Sequence, residues 1–139
     1  IQIGGPLGGV VPINKISELT LDFECLAKEG FLLGHGSFVA IPTDFPMIDF
    51  LDHLFKFAKD ESCGKCVPCR IGSQRGFELI HTAILDTKDK KIEPNLFSDL
   101  LHTLEKGSLC GLGAGLPLPV NNILEYFKDE LKPYFRGLR

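Results

Sequence analysis

No run of apolar residues in this chain approaches the roughly 18 residues that a membrane-crossing helix requires. Nor does any segment have the charged, apolar and small-residue succession of a secretory signal. Positive charge is also short: 15 Lys and Arg stand against 18 Asp and Glu, for a net charge of -3. That balance leaves no basic footprint for nucleic acid, and Lys88, Lys90 and Lys91 read as a solvated turn. The glycine-rich opening IQIGGPLGGVVP lacks the GxGxxG order, a following basic residue and a helix directly after it. Those absences exclude a phosphate cradle and leave a pair of tight turns that use glycine's access to positive φ. No methionine leads the chain, which opens as if in the middle of a strand. The expectation is a piece of a longer polypeptide, cytoplasmic, without nucleic-acid partners and without insertion into a membrane.

What is present suits an ordinary folded domain. Hydrophobic residues make up 44% and charged residues 24%, enough apolar surface to build a core and too little charge for disorder. Residues 20–30 (TLDFECLAKEG) predict a short helix with Thr20 as N-cap and Gly30 as its stop, its residues Leu21, Phe23, Cys25 and Leu26 facing a small core. Cys25 stands alone there and reads as a small buried hydrophobe. Residues 38–41 predict a strand ended by Pro42, and His35 between two glycines reads as a turn residue. From Thr43 the period changes from two to 3.6. One helix is expected from Pro46 to about Asp60, with His53 on its polar side. A second begins at Pro68 and carries Ile71, Phe77, Leu79, Ile80, Ala83, Ile84 and Leu85. A third spans Pro94 to Lys106 with Leu96, Phe97, Leu100, Leu101 and Leu104 inward, and a fourth starts near Pro119 and carries Val120, Ile123, Leu124, Phe127 and Leu131. The fold class expected is therefore α+β: a small piece over residues 1–42, incomplete at its start, then an all-α four-helix bundle over residues 43–139.

Three of the five cysteines, Cys63, Cys66 and Cys69, lie in ESCGKCVPCR, and a fourth, Cys110, lies in the glycine-rich stretch SLCGLGAGLPLP. A C-x2-C-x2-C loop with one remote cysteine can supply one thiolate to each iron of a cubane 4Fe-4S cluster. Structural zinc normally takes two separated CxxC pairs, so three-plus-one is unusual for it though not excluded. A disulfide framework is disfavoured by the odd cysteine count and the lack of secretory features. A thioredoxin-like CxxC would need a preceding strand and would leave two cysteines unexplained. Around the cysteines, Gly64, Gly111 and Gly113 permit close backbone approach, Lys65 and Arg70 place positive charge beside an anionic group, and Pro68 stiffens the loop.

With these residues in view, ESCGKCVPCRIG followed by SLCGLGAGLPLPV resembles the C-terminal part of the flavin-containing, NADH-oxidising subunit of respiratory complex I. It also resembles the diaphorase subunits of NAD-linked hydrogenases and NAD-dependent formate dehydrogenases. Ile71-Gly72 and the GLPLPV ending look closer to the hydrogenase and formate dehydrogenase relatives. The resemblance covers the whole chain. It implies a soluble-ligand-binding β-grasp-like (SLBB) domain at residues 1–42 and the family's cluster domain from about residue 43, with cluster ligands at Cys63, Cys66, Cys69 and Cys110.

The family's flavin and nicotinamide sites belong to a separate domain with a GRGGAGFPTG-type signature, which this sequence does not contain. The resemblance therefore implies that FMN and NAD(H) are cofactors only of the full-length parent, and that this chain alone does not turn over. The function expected is a one-electron relay from FMN through a 4Fe-4S cluster to a partner iron-sulfur subunit of a redox complex. The rival reading is a non-catalytic docking module of the same complex, its cysteines empty or holding zinc. A further alternative is binding of a soluble ligand by the N-terminal piece.

Overall fold

The computed structural model describes residues 1–138, so residue 139 of the helical region expected at 43–139 lies outside the described residues. Two short strands, β1 (Gln2–Ile3) and β2 (Phe38–Val39), pair antiparallel with Gln2 opposite Val39 and Ile3 opposite Phe38. A 3-10 turn covers Ile13–Glu18 and α1 covers Phe23–Lys28. Six helices follow: α2 (Met47–Asp60), α3 (Val67–Leu85), α4 (Pro94–Gly107), α5 (Gly111–Gly115), α6 (Pro117–Tyr126) and α7 (Lys128–Leu131). The architecture is thus mixed, seven α-helices with one two-stranded sheet among the described residues.

The glycine-rich opening forms the expected turns, with positive φ at Gly4, Gly5 and Gly9. Several details of the first 42 residues differ from expectation. Asp22, not Thr20, caps α1: its Oδ1 accepts the Cys25 N–H at 2.6 Å, while the Thr20 hydroxyl donates to Asp22 Oδ2 at 2.5 Å. A carboxylate at the cap also meets the positive helix end, an advantage threonine lacks. Of the four residues expected to face a core, only Leu26 is buried; Leu21 and Phe23 are 68% and 67% exposed, and Cys25 is half-buried. A six-residue helix has too few turns to bury a full stripe. The second strand stops at Val39 rather than Ile41, because its only partner is two residues long.

In the helical part, α2 keeps the expected bounds, with Pro46 at its N-cap and Met47, Ile48, Leu51, Leu54, Phe55 and Ala58 buried. It packs closely on α3, where Gly76 lies so near the Phe55 ring that a Cβ would overlap it. Phe97, Leu101 and Leu104 of α4 and Val120 and Ile123 of α6 complete this core, together with Leu131 and Phe135. Each such side chain contributes about 1.5–3 kcal/mol on burial. Leu96, expected inward, is exposed, as are Ile71 and Leu85 of α3, since each falls off the contact stripe of its helix. The glycine-rich stretch after Cys110 is the helix α5, and α6 begins at Pro117, two residues before the expected start. α6 ends at Tyr126, so Phe127 lies outside it and Leu131 belongs to α7.

A smaller core of Ile3, Val11, Leu26 and Phe31 serves the N-terminal residues. It meets the helices through α6, where Tyr126 stacks on Phe31 at 6.0 Å between ring centroids. On the same helix, buried Asn122 accepts from the Val10 N–H at 3.2 Å and donates to the Gly30 carbonyl at 3.1 Å.

Candidate metal centre

The cysteine loop lies between α2 and α3. The period of α2 runs out at Asp60, and the turn that follows is closed by side chains. Ser62 Oγ accepts the Gly64 N–H at 3.3 Å, and the Arg70 guanidinium donates to the Gly64 carbonyl at 2.6 Å. Gly64 itself has φ +75°, a conformation that a side chain at this position would oppose. Cys66 is the N-cap of α3 in extended conformation, and Pro68 occupies its first turn, where a missing N–H leaves nothing unpaired. Cys69 follows in the same turn and is buried.

The second half of the site is the turn from α4 into α5. Ser108 ends α4, its N–H bonded to the Leu104 carbonyl at 3.2 Å, and Cys110 is the extended N-cap of α5. This turn presses on the start of α3 at two glycines. A Cβ on Gly107 would lie 2.8 Å from the Pro68 ring, and one on Gly113 would lie 2.8 Å from Cys69 Cβ and overlap Ser108 Oγ. Residues distant in the chain thereby reach the same few ångströms.

The electrostatics at Cys66 favour thiolate. Cys66 makes no side-chain capping hydrogen bond. Even so, the Leu109 backbone N–H first and the Cys69 backbone N–H second face its sulfur closely enough to hold the thiol below the ordinary cysteine range. The positive end of the 19-residue α3 acts in the same direction. Ser62 Oγ stands 3.5 Å from Cys69 Sγ, and the Ser73 hydroxyl donates to the Cys69 carbonyl at 2.7 Å. Lys65 and Arg70 are both exposed at the rim.

The structure brings Cys66, Cys69 and the turn holding Cys110 together, while Cys63 and Cys110 are exposed and Cys66 is intermediate. Cys25 lies in α1, where its sulfur faces the Thr20 N–H at 3.4 Å. Among the described residues no three His, Cys, Asp or Glu side chains stand close enough to hold a single metal ion. A cubane makes a wider demand, one thiolate on each of four irons. The donor set fits such a group: four cysteines at two adjoining turns, backbone N–H groups directed at sulfur and cationic side chains at the rim. One group at this site escaped the sequence reading. Ser108 Oγ is buried without any hydrogen-bond partner, a situation that costs on the order of 1–3 kcal/mol. Its place beside Cys110 was the signal that could have marked it.

Comparison with known proteins bears on the same region. The family model described as the NADH-ubiquinone oxidoreductase-F iron-sulfur binding region matches residues 49–134. The NADP-reducing hydrogenase subunit HndC of Solidesulfovibrio fructosivorans is 33% identical over 134 residues, 96% of this chain and 27% of that protein. The NADH-quinone oxidoreductase F-subunit of Rickettsia typhi is 28% identical over 129 residues, 91% of this chain and 30% of that protein. The chain therefore spans roughly a quarter to a third of these relatives. In fold it is similar to a chain of an NAD+-reducing [NiFe]-hydrogenase crystallised in the H2-reduced state. That match has a TM-score of 0.81 at 23% identity and covers 98% of this chain and 23% of the other.

Proposed function

We infer function from membership: the chain belongs to the family of the NADH-ubiquinone oxidoreductase-F iron-sulfur binding region, a 4Fe-4S module. Within that family we propose that it is the electron-relay part of an NADH dehydrogenase-type oxidoreductase, placed between the parent's FMN and a partner iron-sulfur subunit. When bound, a 4Fe-4S cluster supplies a carrier that takes up and releases one electron at a time. Everything else is the work of this chain's residues. Cys63, Cys66, Cys69 and Cys110 would hold the four irons. Arg70 fixes the loop through the Gly64 carbonyl, and the Leu109 and Cys69 N–H groups favour thiolate at Cys66.

The observation that carries this reading is the meeting of the two turns, with Gly107 against Pro68 and Gly113 against Cys69. A redox-inert docking module would have no use for so specific a gathering of cysteine and donor groups around a buried hydroxyl.

Residues 1–42 are proposed as the β-grasp-like domain of this family and residues 43–139 as its four-helix cluster domain. Leu109, Val67 and Ile71 are exposed beside the cysteines and would form the apolar rim of a docking face for the partner subunit. The NADH and FMN chemistry of the parent lies outside this chain, whose place is proposed as the cytoplasm. No helix among the described residues is long and apolar enough to cross a membrane.

Anaerobic reconstitution with iron and sulfide followed by EPR of the reduced protein tests the proposal. A cubane signal lost in Cys63→Ser and Cys110→Ser is expected. Stoichiometric zinc with no iron uptake would support the docking-module alternative instead.

A further inference from the structure

We propose that Ser108 is a tuning donor whose hydroxyl gives a hydrogen bond to sulfur of the cluster held beside Cys69 and so raises its reduction potential. The inference rests on the cluster reading above, and it starts from an accounting of polar groups around the cysteine turns. Ser62 Oγ takes the Gly64 N–H and meets Cys69 Sγ. Ser73 donates to the Cys69 carbonyl, and Arg70 donates to the Gly64 carbonyl. The Ser108 backbone N–H is used by the last turn of α4. Ser108 Oγ alone is buried and unpartnered, and it is the one such side-chain atom among the described residues.

Its position is enforced rather than incidental. The hydroxyl and Cys69 Cβ both lie within 3 Å of the point where a Cβ on Gly113 would sit. Gly113 must therefore lack a side chain for Ser108 to lie next to Cys69. A hydroxyl has one proton to give. Every nearby protein acceptor leaves it unused, whereas the thiolate and sulfide sulfurs of a bound cluster are acceptors in the vicinity of Cys69. A donor to those sulfurs stabilises the reduced cluster, which carries one more negative charge than the oxidised one, and so moves the potential upward.

The test is a dithionite redox titration, monitored by EPR, of the reconstituted 139-residue chain and of Ser108→Ala, with the exchangeable-proton couplings of the reduced cluster recorded in H2O and D2O. The expected result is equal iron content and a lower midpoint in Ser108→Ala. At a fixed potential the oxidised-to-reduced ratio should rise roughly three- to tenfold, tenfold corresponding to about 59 mV for a one-electron couple. One exchangeable-proton coupling should disappear with the hydroxyl. An unchanged midpoint, or a coupling that survives in Ser108→Ala, overturns the proposal. If Ser108→Ala takes up no iron, Ser108→Thr decides: iron and coupling retained with threonine support the hydroxyl, and iron lost from both variants overturns it. Failure of the unsubstituted chain to form a cubane is a separate outcome, and it contradicts the cluster reading itself.

Discussion

Asn122 and Val10 are joined across 112 positions of sequence by a buried hydrogen bond of 3.2 Å, the Val10 N–H donating to the asparagine Oδ1. The same side chain holds the Gly30 carbonyl at 3.1 Å. One residue of α6 thus satisfies two backbone groups of the N-terminal residues, and Tyr126 stacks on Phe31 one turn further on. Replacing Asn122 by Leu leaves both backbone groups without partners while keeping side-chain volume. The expected cost is about 2–6 kcal/mol, from an unsatisfied-group penalty of roughly 1–3 kcal/mol for each of the two groups. Urea unfolding of the reconstituted chain measures it; a loss under about 0.5 kcal/mol would mean that solvent replaces Asn122 without penalty.

Gly76 and Phe55 provide a second test, on the close approach of α3 to α2. An alanine at position 76 would overlap the Phe55 ring. Gly76→Ala should therefore destabilise by about 1–3 kcal/mol, although alanine is the better helix former. The pair should be coupled: Phe55→Leu alone costs stability, and Gly76→Ala added to it should cost far less than in the parent. Additive losses in a double-mutant cycle would show that the ring is not what limits position 76.

The cap of α1 carries a pH dependence. Hydrogen bonds from Thr20 first and from the Cys25 backbone N–H second hold the Asp22 carboxyl below its ordinary value of 3.8. A carboxyl depressed on folding contributes stability that is fully present above that ordinary value and is lost as pH falls through the folded one. The difference in melting temperature between the parent and Asp22→Asn should be constant well above that ordinary value and shrink as pH falls below it. Comparing the two proteins cancels the other exposed carboxylates, and a gap that widens on acidification would contradict the assignment.

Cys25 serves as the contrast to the other four cysteines. It lies in α1 with its sulfur toward the Thr20 N–H at 3.4 Å. Cys25→Ala should keep full iron content after reconstitution and the same EPR spectrum. Iron loss in this variant, of the size expected for Cys110→Ser, would mean that the ligand set has been misassigned.

The sequence made the long elements plain. An apolar stripe of period 3.6 placed α2 at its observed bounds, and prolines marked the starts of α3 and α4 to within one residue. The 4Fe-4S character of the chain was legible in the cysteine spacing. Short-range competition was less legible. Thr20 and Asp22 are both good caps, and only the geometry of the turn decides between them. Gly111–Gly115 reads as a turn by propensity, yet it is helical, with Gly113 packed against Cys69 and Ser108. Contacts between distant segments leave no periodic trace, so Asn122 and Ser108 went unnoticed. A polar residue inside the Val120–Ile123 stripe, and a serine two positions before Cys110, were the available hints.

The central claim is that Cys63, Cys66, Cys69 and Cys110 hold one 4Fe-4S cluster that carries single electrons. Iron analysis and EPR after anaerobic reconstitution, on the parent chain and each of the four Cys→Ser variants, test it most directly. The account predicts about four irons per chain and a cubane signal on reduction in the parent. Each of the four variants should lose or alter both. Zinc bound without iron, or a cubane that survives unchanged in Cys110→Ser, would contradict it.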